Sequence, residues 1–213
     1  MRCSECSVVI RPVVAVDIDG TLGDYHGHLH AFAEQYLQRE LPDTYAGVGE
    51  FGDGLGLSKH LHRQVKLAYR QGGMKRSMPI WPGAQELVQG LHEAGAEVWM
   101  TTTRPWMRLD NVDPDTRFWL DHHDIHYDAL LYDEDKYRVL LDAVDRNRVV
   151  AVVDDLPEQV GRAEQLGLPV LHRWTRWNRG DRRHPGSDNL FSIAAHIKDR
   201  IDTWNKDRHL QSV

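Results

Sequence analysis

The chain has few of the features that mark secreted or membrane proteins. Its 213 residues include two cysteines, Cys3 and Cys6, which cannot form a disulfide framework. No apolar run is long enough to cross a bilayer, and the apolar residues that precede Val16 are interrupted by Arg11 and Pro12. We therefore expect a cytoplasmic protein with no membrane partner.

The chain also lacks an excess of positive charge. It has 26 Lys and Arg against 32 Asp and Glu, which gives a formal net charge of -6. This balance argues against a protein that coats nucleic acid nonspecifically, although a local basic patch can still contact phosphates. With 41% hydrophobic residues, the chain can bury a core, either as one domain or as a core with an insertion.

Two groups of residues have the chemistry of zinc ligands but not a complete pattern. Cys3 and Cys6 have Cys-x-x-Cys spacing, and a second pair of ligands would have to come from histidines or another chain. The alternative interpretation is a loose terminal segment. His26, His28 and His30 alternate before a predicted helix, which places three imidazoles poorly for one metal ion. We expect these histidines to line a cleft or face solvent.

The strongest local signal is an apolar run that ends in two carboxylates. Residues 13–16 are short, β-branched and bounded by Pro12 and Gly20, which favours a buried parallel strand over a helix. Asp17 and Asp19 follow at its carboxyl end, where ligands bind in open α/β sheets. Alternation along an extended chain points both side chains into one crevice.

Strands and helices then alternate along the chain. This pattern predicts an α/β fold with a Rossmann-like parallel sheet and right-handed crossovers. The expected strands are 13–16, 97–102, 129–132, 149–153 and 169–172. The expected helices run from Pro82-Gly83 to Gly95, over 113–123 and 136–144, from Pro157 to Gly167, and over 192–204.

The stretch after the first strand looks inserted. It is rich in histidine and glycine and has no clear strand pattern. We expect helices over 28–41 and 58–71, with Ser58 as the N-cap of the second and a glycine-rich loop over 47–56. The predicted domains are a core of residues 1–23 and 79–213 and a small helical cap of residues 24–78.

Polar side chains at four strand ends indicate a common site. A parallel sheet brings all carboxyl ends to one edge, so residues about 140 positions apart converge there. They are Asp17 with Asp19, Thr101 to Thr103, Lys136, and Asp154 with Asp155. A phosphate dianion repels a carboxylate by roughly 4 kcal/mol per charge pair at about 4 Å and a dielectric constant near 20, so cations are required. Mg²⁺ held by the acids, together with Lys136, would supply them.

These residues predict phosphoryl transfer with separate roles for the two acids. Asp17 would be the nucleophile that forms an aspartyl-phosphate, and Asp19 would protonate the leaving alkoxide and later deprotonate water. Asp154 and Asp155 would complete the magnesium site that Asp17 and Asp19 begin. Alternatively, Asp154 or Asp155 caps the following helix, a role that is compatible with metal binding.

Substrate phosphate has its own set of candidate contacts. Thr102 would hydrogen-bond a phosphate oxygen, and backbone N–H groups around Gly20 and Thr21 would form a small anion nest. Lys136 would add positive charge, although it can also be read as the solvated start of a helix beside acidic residues.

The four motifs resemble those of the haloacid dehalogenase-like phosphatases. The matching residues are Asp17-Ile18-Asp19-Gly20-Thr21, the strand ending at Thr102, Lys136, and Val153-Asp154-Asp155, in the same order and spacing. The resemblance implies that family's fold. It also implies a phosphatase rather than a dehalogenase, because the dehalogenases lack the acid at Asp19.

Within that superfamily the chain resembles the 5'(3')-deoxyribonucleotidases. The resemblance rests on the insertion, the segment 79–90 with its Trp-Pro-Gly-Ala, Asp135-Lys136, and residues 153–157. It implies a nucleotide substrate, specifically nucleoside 5'-monophosphates. The chain departs from that family at Thr21, often nonpolar there, and at Thr102-Thr103-Arg104-Pro105, where the family has Thr-Ser-Pro. The register of the second motif stays open by one residue, and Arg104 is a candidate extra phosphate contact.

Three alternatives stay open. The phosphatase domain of polynucleotide kinase is similar from the second motif to the final strand, which implies a nucleic-acid 3'-phosphatase. The basic, aromatic stretch Arg173 to Arg183 could then hold a nucleic-acid end, or it could pack its tryptophans against the domain. The other two alternatives are a phosphatase of another small phosphometabolite and a module that binds a phosphorylated ligand without turnover. The oligomeric state stays open.

Overall fold

The computed structural model describes residues 10–42, 54–105, 107–178 and 182–211. Cys3, Cys6 and most of the glycine-rich loop lie outside this range. The strands are β1 (Val13–Asp17), β2 (Glu97–Thr102), β3 (Ala129–Tyr132), β4 (Val149–Asp154), β5 (Val170–Arg173) and β6 (Gly186–Ser187). The helices are α1 (Tyr25–Leu37), α2 (Lys59–Gln71), α3 (Ala84–Glu93), α4 (Val112–His122), α5 (Lys136–Ala143), α6 (Pro157–Gln165) and α7 (Leu190–Gln211).

The strands form one parallel sheet in the order β3-β2-β1-β4-β5-β6. β1 lies at the centre, and its last residue, Asp17, stands beside Thr101 of β2. The predicted Rossmann-like α/β fold is therefore confirmed. Because every carboxyl end faces the same edge, the residues after β1, β2 and β4 meet there.

Alternation along β1 divides the core between the two faces of the sheet. Val14 and Val16 pack with α3, α4 and α7, whereas Val13 and Ala15 pack with α5 and α6. All five residues of β1 are buried. Burial on both faces explains why the strand is a continuous apolar run rather than an alternation of apolar and polar residues.

The helices α1 and α2 share a small core of their own, which includes Leu29, Val65 and Tyr69. Ser58 caps α2 as predicted, because its side chain accepts a hydrogen bond from the backbone N–H of Leu61. α1 begins earlier and ends earlier than expected: Asp24 caps its start, and Gln38 ends it in a left-handed conformation with a φ of 51°.

Two features near the carboxyl terminus were not predicted. α7 continues beyond Trp204 to Gln211, and β6 occupies what looks like a polar loop. A strand of two residues has no periodicity that sequence reasoning could detect. Gly186 allows the close pairing with β5, because a Cβ there would lie 2.0 Å from the carbonyl oxygen of His172. Across the described residues, none of the helices has the length and apolar content that a membrane span needs.

Candidate active site

Lys136 joins the acids at the ends of β1 and β4. It is the first residue of α5 and is completely buried, with its Nζ 2.5 Å from Asp17 Oδ1 and 2.7 Å from Asp154 Oδ2. The same Nζ donates to the carbonyl oxygen of Thr101 at 3.3 Å. Burial alone would lower the lysine pKa, but the two carboxylates outweigh it and raise the pKa above its usual value. The structure therefore places a fixed positive charge between two carboxylates, not a solvated side chain.

Asp154 is fully engaged by protein groups. Its Oδ1 accepts a hydrogen bond from the backbone N–H of Leu156 at 2.9 Å, and its Oδ2 accepts from Lys136 and from the hydroxyl of Tyr137. It therefore positions Lys136 and shapes the turn that leads into α6. The N-cap of α6 is Leu156, so neither acid caps that helix as expected. Metal binding by Asp154 and Asp155 stays a prediction.

Asp17 and Asp155 each keep one buried oxygen without a hydrogen-bond partner, Oδ2 of Asp17 and Oδ1 of Asp155. Buried polar atoms are normally paired, so these two atoms call for a ligand. Asp17, Asp154 and Asp155 offer carboxylate oxygens that lie within 4.8 Å of one another. Oxygen donors of this type are what Mg²⁺ and similar hard cations bind. The acidic cluster therefore fits a metal site, with Asp17 and Asp155 as the residues that have oxygens to offer.

The charge of this cluster also favours a cation. Burial raises the pKa of Asp17 to about 7; Lys136 opposes this shift, while Asp154 and Asp19 add to it. Burial and the charge of Asp17 also raise the pKa of Asp155 well above its usual value. A divalent cation between Asp17 and Asp155 would favour the ionised form of both.

Gly20 lets the first loop pass directly over Asp155. A Cβ at Gly20 would lie 2.1 Å from Asp155 Oδ2, and the φ of +96° is one that other residues rarely adopt. From the other side, Asn178 donates to the carbonyl oxygen of Asp155 at 2.6 Å. The loop after β1 and the segment after β5 thus hold Asp155 between them.

Asp19 lies beside this cluster and has different partners. The guanidinium of Arg104 donates to both of its oxygens, and Lys75 donates to Oδ2. Burial alone would raise the pKa of Asp19, but Arg104 and Lys75 outweigh it and hold the pKa well below its usual value. The structure therefore holds the side chain of Asp19 as an ionised carboxylate. Its expected part in the metal site stays a prediction.

The predicted phosphate-binding residues lie at the same edge of the sheet. Thr102 ends β2 and accepts a hydrogen bond from the backbone N–H of Arg104 at 3.3 Å, and Thr103 lies between them. The N–H of Gly20 donates to a carbonyl within its own turn, whereas the buried Thr21 Oγ1 has no hydrogen-bond partner. The structure brings these residues together, and their contacts with phosphate stay predictions.

Sequence reasoning missed several supporting residues. Lys75 lies 56 residues from Asp19 in the chain, in the short helical turn Met74–Ser77 after α2, and no local motif marks it. Thr116 accepts from Arg104 at 2.7 Å. Tyr137 could have been suspected, because it directly follows Lys136 and points its hydroxyl at Asp154.

The basic, aromatic stretch has been placed only in part, since residues 179–181 lie outside the described range. Arg173 is buried and donates to the carbonyl oxygen of Trp174 at 3.0 Å. The guanidinium of Arg182 stacks on the Trp174 ring at 3.9 Å, and that of Arg176 stacks on Trp177 at 4.0 Å. In the described part, these cations contact the protein's own tryptophans.

Comparisons of the sequence with known proteins identify relatives among the nucleotidases. Residues 11–167 match the family model described as "5' nucleotidase, deoxy (Pyrimidine), cytosolic type C protein". A protein of Chlorobaculum tepidum named "Putative 5'(3')-deoxyribonucleotidase" is 28% identical over 163 residues, which cover 73% of this chain and 75% of that protein.

Solved structures show the same fold at low sequence identity. A haloacid dehalogenase-like family hydrolase from Streptococcus pneumoniae has a TM-score of 0.59 and 15% identity, over 88% of this chain and 98% of that one. A phosphatase from Clostridium acetobutylicum, so named by prediction, has a TM-score of 0.60 and 12% identity, over 89% and 99% of the two chains. The family match spans most of the chain and includes Asp17, Arg104, Lys136 and Asp155. The chain therefore belongs to the family of cytosolic type C deoxy (pyrimidine) 5'-nucleotidases, which are phosphatases, and it has the fold of the haloacid dehalogenase-like hydrolases.

Proposed function

We propose that the protein is a Mg²⁺-dependent phosphomonoesterase that hydrolyses nucleoside 5'-monophosphates through an aspartyl-phosphate on Asp17. The observation that carries the proposal is how the two oxygens of the Asp17 carboxylate are bonded. Lys136 binds one of its oxygens, and the other is buried without a partner beside Asp155. Membership of a nucleotidase family and the name of the Chlorobaculum tepidum relative support a nucleotide substrate.

Asp17 and Asp155 would hold the metal ion, with Asp154 behind them. When bound, Mg²⁺ would offset the negative charge of the substrate phosphate. Four carboxylates and three cations meet at the site, so the site carries one excess negative charge when all seven are ionised. A phosphate dianion would be repelled from such a site, which supports the requirement for a divalent cation.

The reaction would proceed in two displacements. In the first, a carboxylate oxygen of Asp17 bonds to phosphorus, the bond to the leaving oxygen breaks, and Asp19 gives that oxygen its proton. In the second, Asp19 takes a proton from water, the water oxygen bonds to phosphorus, and the bond to Asp17 breaks. Lys136 would keep the Asp17 carboxylate in one orientation throughout.

Asp19 as it stands in the structure suits the second displacement, because it is ionised. The first displacement requires Asp19 in its protonated form. Loss of a cationic partner would favour that form, because it would raise the pKa of Asp19. Lys75 belongs to the inserted segment and Arg104 to the core, so movement of that segment over a substrate would alter the Lys75 contact and leave the Arg104 contact in place.

We propose that residues 24–78 act as a cap that contacts the nucleoside. Their separate small core and the position of Tyr25 support this role. The ring of Tyr25 lies 3.7 Å beneath Lys75 Nζ, next to Asp19, whereas Phe32 packs inside the cap core against Tyr69. Closure of a cap excludes water and selects substrates. Backbone N–H groups near Thr21, with Thr102, Thr103 and Arg104, would complete the phosphate site.

Phosphate release with and without Mg²⁺ tests the proposal. The substrates are nucleoside 5'-monophosphates and p-nitrophenyl phosphate, and the variant is Asp17→Asn. We expect it to lose turnover of both substrates by at least about a thousandfold while it retains the circular-dichroism spectrum of the wild type. Asp202→Asn, at an exposed carboxylate on α7, is the matched control. Turnover retained by Asp17→Asn would exclude Asp17 as the nucleophile.

A further inference from the structure

One segment of this acidic protein contains no acidic residue. Between Gly54 and Gln85 the sequence has no Asp or Glu, although the whole chain has a net charge of -6. The same segment contains six Lys and Arg residues, at positions 59, 63, 66, 70, 75 and 76. Positive charge is therefore concentrated on α2 and the turn after it.

The cations of α2 lie on one face of the helix. Val65 and Tyr69 lie on a different face of the helix and pack in the cap core. Spacings of four, three and four residues align side chains along a helix, and the eleven steps from first to last span about 16 Å. The aligned cations are Lys59, Arg63, Lys66 and Arg70.

This face forms one wall of a groove. The cavity has a volume of about 430 Å³, and its other wall is the loop that follows β2, with Pro105 and Arg108. Among the described residues that line it, every charged one is basic. Arg108 makes an ion pair of 3.7 Å with Glu134 at the rim, where both side chains are exposed and such a pair contributes little. The groove therefore concentrates positive potential in a concave surface.

A smaller cavity next to the groove shares two of its lining residues. Arg70 and Pro105 also line this smaller cavity, together with Lys75, Arg104 and the acid Asp115. Lys75 and Arg104 are the two partners of Asp19. Pro105, which lines the groove, directly follows Arg104 in the chain, and Arg104 binds Asp19, the proposed proton shuttle.

We propose that this groove binds a second phosphate of the substrate, so that the preferred substrates carry a phosphate besides the one that is cleaved. The inference rests on the proposed function, because it extends the substrate of the same site. Lys136 and the proposed metal site already supply positive charge for the phosphate that Asp17 attacks. The five cations of the groove are additional to these. Guanidinium groups bind phosphate with two parallel hydrogen bonds, which suits Arg63, Arg70 and Arg108.

The second phosphate can come from a nucleoside bisphosphate or from the chain of an oligonucleotide. Phosphate release should be compared for 2'-deoxyadenosine 5'-monophosphate, 2'-deoxyadenosine 3',5'-bisphosphate and a 5'-phosphorylated oligothymidylate of six nucleotides. We expect kcat/KM to be at least about tenfold higher for one of the two phosphate-rich substrates, and the preferred one identifies the source. High salt should reduce this preference, because screening weakens contacts between exposed charges.

Arg63→Glu is the variant that tests the groove, with Lys198→Glu as its matched control. Both replace an exposed cation with an acid, but Lys198 lies on α7 and does not line the groove. We expect Arg63→Glu to raise the KM for the preferred phosphate-rich substrate about tenfold more than for the monophosphate. We expect Lys198→Glu to change the KM for the phosphate-rich substrate and the KM for the monophosphate by the same factor. Equal kcat/KM values in the wild type, or equal losses in Arg63→Glu, would overturn the inference.

Failure of the proposed function would give a different result. If wild-type protein released no phosphate from any of these compounds or from p-nitrophenyl phosphate, the phosphomonoesterase proposal would fail. Calorimetric titration with the bisphosphate and the oligothymidylate would then test the groove directly. Binding of either compound that Arg63→Glu weakens about tenfold would support the groove, and absence of binding would refute it.

Discussion

Both carboxylate oxygens of Asp19 accept hydrogen bonds from Arg104, which lies 85 residues further along the chain. The contacts measure 2.9 Å from Nε to Oδ2 and 2.6 Å from Nη2 to Oδ1. The remaining guanidinium nitrogen donates to Thr116 Oγ1 at 2.7 Å. A planar guanidinium held at three points restricts Asp19 to one orientation.

Arg104→Lys should therefore reduce catalysis more than stability. Lysine keeps the charge, but it cannot hold both Asp19 oxygens and Thr116 at once. We expect kcat on p-nitrophenyl phosphate to fall about 10- to 100-fold, because Asp19, the proposed proton shuttle, is no longer fixed in place. Steady-state kinetics, with thermal unfolding to confirm the fold, measures the effect.

Arg117→Lys is the control for this change. Arg117 also donates to both oxygens of an acid, Asp113, but on the surface of α4. Its replacement should leave kcat within about twofold, since exposed ion pairs contribute little. An equal loss in the two variants would show that the Arg104 fork has no special role.

Lys136→Met should destabilise the protein as well as inactivate it. The change leaves the buried acids Asp17 and Asp154 without the cation between them, and breaking a buried pair costs about 3–5 kcal/mol. Urea unfolding without metal ions measures the loss. Arg138→Met, two residues along the same helix at an exposed side chain, should change the free energy of unfolding by less than about 1 kcal/mol. Similar losses in both variants would contradict the central place assigned to Lys136.

Gly20→Ala should weaken metal binding. Its Cβ would collide with the Asp155 carboxylate, and the backbone φ of +96° disfavours alanine. We expect the Mg²⁺ concentration for half-maximal activity to rise at least about tenfold, as measured by titration of activity with Mg²⁺. Gly161→Ala is the matched control, because its added Cβ meets no atom within 4 Å apart from its chain neighbours and the backbone of its own helix. Unchanged Mg²⁺ dependence in Gly20→Ala would argue against Asp155 as a metal ligand.

Metal ions should change how stability depends on pH. Burial raises the pKa of Asp17 from the ordinary 3.8 to about 7, and it raises that of Asp155 in the same direction. Without metal, these groups contribute stability that is present below the unfolded pKa and is lost as pH rises through the folded pKa. Mg²⁺ favours their ionised forms, so it should stabilise the protein more at about pH 8 than at about pH 5. Thermal unfolding with EDTA and with Mg²⁺ measures the difference. Equal metal-induced shifts at the two pH values would contradict this account.

The sequence predicts the sheet well because its signals are local. A β-branched run that ends in Asp17, with glycine and proline at the element boundaries, specifies strands and helices without knowledge of their partners. The expected bounds of β2 and β3 match the structure. The prediction was less accurate for α1, where a left-handed residue at Gln38 decides the helix end, and for β6, where pairing with β5 decides that a strand exists at all.

The site was predictable where it follows from the sheet and not where it depends on packing. Parallel strands must bring Asp17, Thr102 and Asp155 to one edge, so the sequence alone is enough to predict that these candidate site residues meet. Lys75 and the basic groove belong to an insertion that has its own core, and no rule of local structure states how such an insertion packs on the sheet.

Local patterns are enough to predict the parallel sheet, the order of its motifs and the acids at the ends of its strands, because hydrophobic periodicity and the alternation of strands with helices can be read from short segments. Which acid meets which cation depends on the packing of the folded chain. Lys136 lies between Asp17 and Asp154, and Arg104 holds Asp19, because side chains far apart in the chain meet only after the sheet and its insertion have packed. Charge compensation within a buried site depends on distances of a few ångströms, which a linear sequence does not contain.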